Sequence, residues 1–205
     1  MEFAIAAGLA AAYTLGSIPF AYLAVKIVKG VDIRTLGSGN VGATNAGRIL
    51  GRRAALGIYL LDAGKGAGAI GIAYFLLPTN TLFAVGCGIL AILGHCFPVW
   101  LRFEGGKGVA TTTGVFLALQ PAAFLIAGAI WILTAAASRF VSLASIALAI
   151  AFPIAIYILN GAEYCKAQWP VMALALLAAI FIIARHIPNL KRVAAGTEPK
   201  MFTRK

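Results

Sequence analysis

Charged side chains are scarce in this chain, and negative ones above all. Its 205 residues include 17 Lys and Arg but only 6 Asp and Glu, so 11% of the residues are charged while 61% are hydrophobic. A soluble domain of this length needs far more polar side chains to cover one core. The shortage of charge excludes an ordinary soluble fold, and no stretch is left over for a second, soluble domain.

Cysteines and metal-binding clusters are also sparse. Cys87, Cys96 and Cys165 form no Cys-x-x-Cys pair, and their odd number argues against a disulfide framework. His95, beside Cys96, is interpreted as part of a packed helix end. The sequence shows no cluster of metal ligands, so we expect neither a metal nor a cofactor. The net charge of +11 indicates attraction to anionic membrane lipid, and we expect no nucleic-acid partner.

Hydrophobic runs near the length that spans a bilayer recur along the chain. They predict an all-α, polytopic integral membrane protein with seven transmembrane helices, near residues 3–28, 54–77, 81–101, 109–120, 122–138, 141–159 and 167–185. The first opens with Glu2 and is too long for the apolar core of a signal peptide, so we expect it to be a span. The fourth, at roughly 18 Å, is too short to cross a core of roughly 30 Å. Either the preceding loop enters the membrane region or this segment is re-entrant.

Positive charge predicts the orientation of these spans. With seven spans, the linkers 29–53, 102–108 and 139–140 and the tail 186–205 share one side of the membrane. Counting the helix ends, all of the 17 Lys and Arg except Lys65 and Lys166 lie on that side. Positively charged loops stay in the cytoplasm. We therefore expect the amino end outside and the carboxyl end in the cytoplasm.

The first inner loop contains "LGSGNVGATNAGRILGRR", in which four glycines alternate with small polar residues and arginine. Glycine permits backbone turns in which successive N–H groups point into one concavity. Ser, Thr and Asn add neutral donors, and Arg adds a forked charge. The pattern predicts a phosphate site, and the alternative is a flexible, solvated loop. The candidate residues are Ser38, Gly39, Asn40, Thr44, Asn45 and Arg48.

The second inner loop reads "RFEGGKGVATTTG" and precedes the short fourth span. A helix N-terminus carries free N–H groups and the positive end of the helix dipole. A glycine-rich loop leading into it is suited to bind an anion, with Lys107 as the point charge between Gly106 and Gly108. It is not a Walker A loop, because Leu101 stands at the position of the first glycine. The sequence thus argues against a nucleotide-driven machine.

The third inner segment, "RHIPNLKRVAAGTEPK", follows the last predicted span. His186 and Asn189 would share one face of a helix, but Pro188 argues for an extended or turn entry. A lone histidine often forms only a structural hydrogen bond. This is the third polar, cation-rich segment predicted on the same membrane face, which favours a role in the same site. Its candidates are His186, Asn189, Arg192, Gly196 and Glu198.

Together, "GSGNVGATNAGR", "GGKGVAT" and "HIPNLKRVAAGTE" resemble the three signature motifs of the bacterial acyl-phosphate:glycerol-3-phosphate acyltransferases, the PlsY family. The motifs come in the family's order, and the resemblance covers nearly the whole chain. The third motif matches His-x-x-Asn-x-x-Arg-x-x-x-Gly-x-Glu at every fixed position. One departure is Glu104, where a basic residue is expected in many members, and which would weaken the local positive field.

The resemblance implies acyl transfer from acyl phosphate to the 1-hydroxyl of glycerol 3-phosphate. The products would be lysophosphatidic acid and phosphate, in the first step of phospholipid synthesis. It also implies a single membrane-embedded acyltransferase domain over residues 1–205, multi-pass in the bacterial cytoplasmic (inner) membrane. Membrane lipid would hold the acyl chain, because each buried CH₂ group gains roughly 0.8 kcal/mol.

The resemblance and the residue chemistry together give the site residues their expected roles. The catalytic candidates are Ser38, Lys107, His186 and Asn189. The substrate-binding candidates are Gly39, Asn40, Thr44, Asn45, Arg48, Gly106, Gly108, Arg192, Gly196 and Glu198. Either His186 or the substrate's own phosphate could remove the hydroxyl proton. Direct transfer is favoured over an acyl-enzyme, because Ser38 lacks the Gly-x-Ser-x-Gly setting of a nucleophile elbow.

Two alternatives stay open on the sequence alone. Asp62 and Lys65, at i and i+3 within the second span, could be functional or could form an ion pair that packs helices. Such an intramembrane pair and glycine-interrupted helices would also suit a transporter of an organic phosphate. Against transport, the polar residues gather on one predicted face, and the outer loops offer nothing to admit an anion. A noncatalytic scaffold for lipid synthesis is a further, weaker alternative.

Overall fold

A computed structural model of the protein describes residues 1–201. The regular elements within those residues are α-helices and two short 3₁₀ turns, Ile33–Thr35 and Val99–Leu101, so the predicted all-α fold is confirmed. The helices are α1 (Glu2–Gly16), α2 (Phe20–Lys29), α3 (Ala43–Leu50), α4 (Arg52–Leu76), α5 (Thr81–Cys96), α6 (Val109–Leu119), α7 (Pro121–Ser138), α8 (Val141–Ala167) and α9 (Trp169–Ala194).

The chain forms two compact units, one comprising Met1–Leu119 and the other beginning at Gln120. In the first unit, α4 packs against α1, α3, α5 and α6, and α1 also packs against α5. Small residues allow these helices to approach closely, as in many membrane proteins. A Cβ at Gly66 would overlap the carbonyl oxygen of Thr111, and one at Gly114 would overlap that of Ala63. These contacts hold the short helix α6 directly against α4.

In the second unit, α8 packs against α7 on one side and α9 on the other. Pro121 and Pro170 lie in the first turns of α7 and α9, where the missing N–H costs no helical hydrogen bond. The core between α8 and α9 is built from small and branched side chains, including Ala155, Leu174 and Ile182, all of them buried. This packing positions the last turns of α9, where the third motif lies.

Five segments are long and apolar enough to cross a membrane: Glu2–Lys29, Thr81–Leu101, Pro121–Ser138, Val141–Ala167 and Trp169–Ala194. Helix α4 matches the predicted second span in length but carries Asp62 and Lys65, and it is not among the five. Helix α6 is a shorter apolar helix of 11 residues, close to the predicted 109–120. The helices therefore lie near the predicted segments, although α4 and α6 are not among the five that are long and apolar enough to cross a membrane.

Several local predictions were wrong. The first predicted span matches the apolar segment Glu2–Lys29, but its helix is interrupted between Gly16 and Phe20, because Pro19 lacks a donor and restricts the residue before it. Residues 43–50 form helix α3 where a loop was expected. Helix α8 runs through the predicted outer loop, with non-helical backbone only at Gly161. Helix α9 continues past Pro188 to Ala194; prolines are tolerated in membrane helices because neighbouring groups satisfy the freed carbonyls.

Candidate active site

The first motif is a tight loop, residues 36–42, that leads into α3 and is organised by Asn45. The buried Asn45 side chain donates from Nδ2 to the backbone carbonyls of Leu36 (3.0 Å) and Asn40 (3.1 Å). Its Oδ1 accepts a hydrogen bond from the backbone N–H of Ser38 (2.9 Å). The loop also needs glycine at position 39, whose φ of 72° lies in the left-handed region. Asn45 therefore shapes the loop, and its predicted part in substrate binding stays a prediction.

The polar side chains of the first motif remain at the surface of this framework. Ser38, Thr44 and Arg48 are exposed, while Asn40 is half-buried. Thr44 and Arg48 are four residues apart on α3, so they project from one face of that helix. The loop thus presents a hydroxyl at Ser38 and, from the adjacent helix, a hydroxyl and a guanidinium.

The second motif is held against the end of α5. The backbone N–H of Gly105 donates to the carbonyl of Cys96 (3.1 Å), and that of Gly106 donates to the carbonyl of His95 (3.1 Å). Gly106 and Gly108 are buried, and Lys107 between them is half-buried. Helix α6 then begins at Val109, as predicted. The loop, its lysine and a helix N-terminus are therefore arranged as an anion site requires.

The first and second motifs touch each other inside the first unit. A Cβ at Gly106 would come within 2.9 Å of the carbonyl oxygen of Val41, so the two loop backbones are in contact. A side-chain ion pair also joins the two regions: Arg34 Nη1 lies 3.0 Å from Glu104 Oε2. The acid that was expected to weaken the positive field is therefore matched by a local cation. The structure thus brings together the two loops that are candidates for phosphate binding.

Arg34 is shared between two acids. It pairs with Asp32 Oδ2 at 2.7 Å as well as with Glu104. The hydrogen bond from Arg34 holds the pKa of Asp32 below its ordinary value, and the same hydrogen bond with Asp32 raises the pKa of Arg34. This cluster ties the 3₁₀ turn before the first motif to the loop of the second.

The third motif lies in the second unit, at the end of α9. Asn189 Nδ2 donates to Glu198 Oε1 at 2.6 Å, and Arg192 Nε donates to Glu198 Oε2 at 2.8 Å. Both oxygens of one buried carboxylate are thus used to hold two of the candidate residues. Arg192 keeps 38% of its side chain exposed, whereas the Glu198 side chain is only 4% exposed.

The chain reverses after α9 so that Glu198 can reach back. Gly196 adopts a φ of 69°, and the N–H groups of Thr197 and Glu198 both donate to the carbonyl of Arg192, at 2.8 Å and 3.1 Å. This turn caps the helix in a form that favours glycine. Gly196 was predicted to bind substrate, and in the structure it forms this turn.

Charge at Glu198 is stabilised despite its burial. Burial raises the pKa of the Glu198 carboxyl, but the hydrogen bonds from Asn189 and Arg192 outweigh it, so the net pKa is below the ordinary value.

His186 is buried on the same helix, one turn before Asn189. Its Nδ1 lies 2.8 Å from the carbonyl oxygen of Ile182. Because a carbonyl oxygen only accepts hydrogen bonds, Nδ1 carries the ring proton and the neutral ring has its lone pair on Nε2. Nε2 is therefore the nitrogen that can accept a proton. No group of three or more His, Cys, Asp or Glu within residues 1–201 is arranged to hold a metal ion.

A family model described as glycerol-3-phosphate acyltransferase matches residues 6–196. The chain belongs to the glycerol-3-phosphate acyltransferase family. A curated relative of that name from Prochlorococcus marinus (strain NATL2A) is 41% identical over 190 residues, covering 92% of this chain and 94% of its own. Another, from Gloeobacter violaceus, is 40% identical over 205 residues, covering 98% and 97%.

Two solved structures have the same fold. One is the glycerol 3-phosphate form of PlsY, an integral membrane glycerol 3-phosphate acyltransferase, with a TM-score of 0.88 and 35% identity. The other is its lysophosphatidic acid form, with a TM-score of 0.85 and 35% identity. Each alignment covers 97% of this chain and 96% of the PlsY chain. This member of the acyltransferase family is therefore an integral membrane protein with several apolar helices.

The structure thus sorts the predicted site residues into three groups. Exposed or half-buried polar groups that can meet a ligand are Ser38, Asn40, Thr44, Arg48, Lys107 and Arg192. Buried groups whose polar atoms are ordered by neighbours are Asn45, His186, Asn189 and Glu198. Backbone positions are Gly39, Gly106, Gly108 and Gly196.

Proposed function

We propose that this chain transfers an acyl group to the 1-hydroxyl of glycerol 3-phosphate and releases lysophosphatidic acid. The observation that carries the proposal is the match, over 97% of the chain, to PlsY in forms named for glycerol 3-phosphate and lysophosphatidic acid. The two adjoining glycine-rich loops support it, because the substrate and the product each bring a phosphate group that needs cations and N–H donors.

Acyl phosphate is the proposed acyl donor. Its phosphate is already a good leaving group, so the reaction needs binding and orientation more than strong base catalysis. Two phosphate groups must then lie close together, and cations are required to offset their repulsion. In this proposal Ser38, Thr44, Arg48 and Lys107 bind the phosphate and acyl-phosphate groups, and the membrane holds the acyl chain. The Lys107 ammonium stabilises the leaving phosphate as its negative charge increases.

The third motif supplies the remaining proposed roles. His186 Nε2 is the side-chain candidate for the proton acceptor, and the substrate's own phosphate is the alternative base. Asn189 and Arg192 are held by Glu198, so they are preorganised to orient glycerol 3-phosphate. His186→Ala separates the two bases: a large loss of turnover that is restored at high pH supports His186, whereas a pH-independent small loss supports the substrate phosphate.

Direct acyl transfer is proposed over an acyl-enzyme on Ser38. The backbone N–H of Ser38 is bound by Asn45, and no described contact pairs its hydroxyl with a basic side chain. A serine nucleophile requires an adjacent base to remove its proton. Rapid quenching with labelled acyl phosphate tests this step, because an acyl-enzyme would retain label on the protein and direct transfer would not.

Seven spans, an outer amino end and a cytoplasmic carboxyl end are the proposed topology, in the bacterial inner membrane. In this proposal the five long apolar segments, with α4 and α6, would form the seven spans, and the distribution of Lys and Arg supports the orientation. In a cysteine-free background, Glu163→Cys should react with an impermeant maleimide from outside, and Lys200→Cys only after the membrane is opened. The reverse labelling pattern would contradict this orientation.

One acyltransferase domain, formed by the whole chain, is the proposed organisation. The family model extends across both compact units, from residue 6 to residue 196, which supports a shared reaction. Each unit would then carry residues that the reaction needs. A variant in either unit should abolish the same reaction.

Purified protein in micelles tests the activity. Acyl phosphate and labelled glycerol 3-phosphate should give labelled lysophosphatidic acid and inorganic phosphate in equal amounts. The matched arms replace acyl phosphate by an acyl thioester, and the wild-type protein by Lys107→Ala. Product from the thioester alone would contradict the donor. Flux of labelled glycerol 3-phosphate into liposomes, without product, would instead support a transporter.

A further inference from the structure

A cluster of three ionisable side chains lies buried beneath the second motif, and the proposed reaction does not use it. Asp62 and Lys65 belong to α4, and His95 belongs to α5. Lys65 Nζ lies 2.9 Å from Asp62 Oδ1, and His95 Nδ1 lies 3.4 Å from the same oxygen. All three side chains are almost completely shielded from solvent. From the sequence, Asp62 and Lys65 could be functional or could form an ion pair that packs helices, and His95 was interpreted as part of a packed helix end.

Lys65 connects this cluster to the break between α1 and α2. Its Nζ donates a hydrogen bond to the carbonyl oxygen of Ile18 at 2.9 Å and lies 5.6 Å from the centroid of the Phe20 ring. At the break between α1 and α2 the Ile18 carbonyl has no helical partner; it accepts from the N–H of Phe20 at 3.2 Å and has room for a second donor. Lys65 supplies that second donor and receives cation–π stabilisation from Phe20. The lysine is therefore anchored on one side by the backbone and on the other by Asp62.

His95 connects the cluster to the second motif. Its carbonyl oxygen accepts the hydrogen bond from the N–H of Gly106. Its ring also lies against that residue, because a Cβ at Gly106 would overlap His95 Nε2. One edge of the imidazole therefore faces Asp62, and the other faces the loop backbone immediately before Lys107. Asp62 Oδ1 lies near Nδ1 without an aligned hydrogen bond, so the carboxylate acts on this edge of the ring through its negative charge.

Charges buried this deeply are costly, and apolar residues of similar size would often be as stable. A role in shaping the site explains why these residues are ionisable. We propose that Asp62, Lys65 and His95 form a buried positioning triad, which fixes the backbone of residues 105–107 and so sets where the loop binds a substrate phosphate. They are positioning residues that act through Gly106 and do not touch the substrate. The kinetic part of the proposal rests on the proposed acyltransferase function.

The double variant Asp62→Asn/Lys65→Met tests the triad, because it removes both charges together and leaves no unpaired buried ion. If the pair only packs helices, a folded double variant should have wild-type kinetics. If it positions the loop, KM for a phosphate-bearing substrate should rise about tenfold. Misplacement by about 1 Å can cost about 100-fold, and a smaller shift of the loop costs part of that. The thermal midpoint in detergent reports whether the fold survives.

His95→Asn tests the connection to the loop. Asparagine can keep a polar nitrogen near Asp62 but lacks the ring atoms that reach Gly106. The triad predicts a similar rise in KM and no further rise when His95→Asn is combined with the double variant, because groups that act as one unit are non-additive. Strictly additive effects would overturn the proposal. Cys87→Ala is the matched control: it trims another buried residue of α5, and it should lower stability without changing KM.

Hydrogen–deuterium exchange of the peptide covering residues 103–108 gives a readout that does not require turnover. The triad variants should exchange faster there than wild type, and the Cys87→Ala protein should not. Unchanged loop exchange in a folded triad variant would overturn the proposal even if KM had changed. If wild-type protein forms no lysophosphatidic acid, the proposed function fails, but this exchange comparison still decides the triad. Titration with inorganic phosphate in the same experiment should protect the loop less well in the variants.

Discussion

Replacing Glu198 by glutamine removes a charge and one acceptor at the centre of the third motif. The carboxylate uses one oxygen for Asn189 and the other for Arg192, at 2.6 Å and 2.8 Å. A glutamine side chain has a single acceptor oxygen, and its NH₂ group would face a donor on the other side. Glu198→Gln can therefore keep only one of the two hydrogen bonds, and it leaves Arg192 without its counter-charge.

The size of the effect follows from burial. A hydrogen bond to a charged group contributes about 1.5–3 kcal/mol. The Arg192 side chain is 38% exposed, so solvent screening reduces the contribution of this pair to about 1–1.5 kcal/mol. If the pair preorganises Arg192 for the reaction, that loss corresponds to about a tenfold lower kcat/KM. The expected measurement is lysophosphatidic acid formation in micelles over a range of glycerol 3-phosphate concentrations.

Glu163→Gln is the control for this prediction. Glu163 pairs with Lys166 at the same distance, 2.8 Å, but the two side chains are 87% and 74% exposed. Exposed pairs of this kind contribute little, so Glu163→Gln should leave kcat/KM and the thermal midpoint unchanged. Equal kcat/KM for Glu198→Gln and wild type would refute the preorganisation of Arg192. A thermal midpoint that falls with kcat unchanged would assign Glu198 to stability alone.

Four further outcomes are expected. Lys107→Ala should lose most turnover with its fold intact, whereas Lys29→Ala, at an exposed lysine, should keep it; near-normal turnover would remove Lys107 from the site. Asn45→Ala should accelerate hydrogen exchange over residues 36–42 and raise KM, because three hydrogen bonds with the loop and one with the Ile33 carbonyl depend on that amide. Glu104→Gln should change kcat/KM less than about twofold, because Glu104 is 71% exposed and Arg34 keeps Asp32. The pKa of the Glu198 carboxyl is lowered, so its contribution to stability is complete above the ordinary pKa of a glutamate. That contribution is lost as the pH falls through the lowered pKa. Hydrogen exchange of residues 189–198 should therefore stay slow at pH 5 and rise only in stronger acid.

Sequence inspection predicted the membrane class and the helical fold correctly, and the phosphate chemistry of the motifs stays a prediction. These depend on local properties: the length of apolar runs, and glycine and cations at short spacings. The short fourth span was also recognised from length alone, and α6 begins at the predicted residue. The errors arose where a neighbouring element decides the local conformation. Pro188 looked like a helix end, but packing in the second unit carries α9 past it to Ala194.

The roles of individual motif residues were harder to infer. Asn45 resembles Asn40 in sequence, and only its hydrogen bonds, three with the loop and one with Ile33, show that it organises the backbone. Glu104 looked like a defect in the positive field until Arg34, 70 positions earlier in the chain, was found beside it. His95 carried no recognisable pattern, because its partner Asp62 is on another helix and Gly106 is in the following loop.

The sequence by itself determined that this chain lies in a membrane and is helical, and it predicted the phosphate-binding motifs, because hydrophobic length and motif spacing act over a few residues. Only the tertiary structure decided which polar groups organise the motifs and which remain at their surface. That division depends on contacts between residues far apart in the chain, where burial makes each unpaired polar group costly. The buried cluster of Asp62, Lys65 and His95 exists only because α4 and α5 pack side by side.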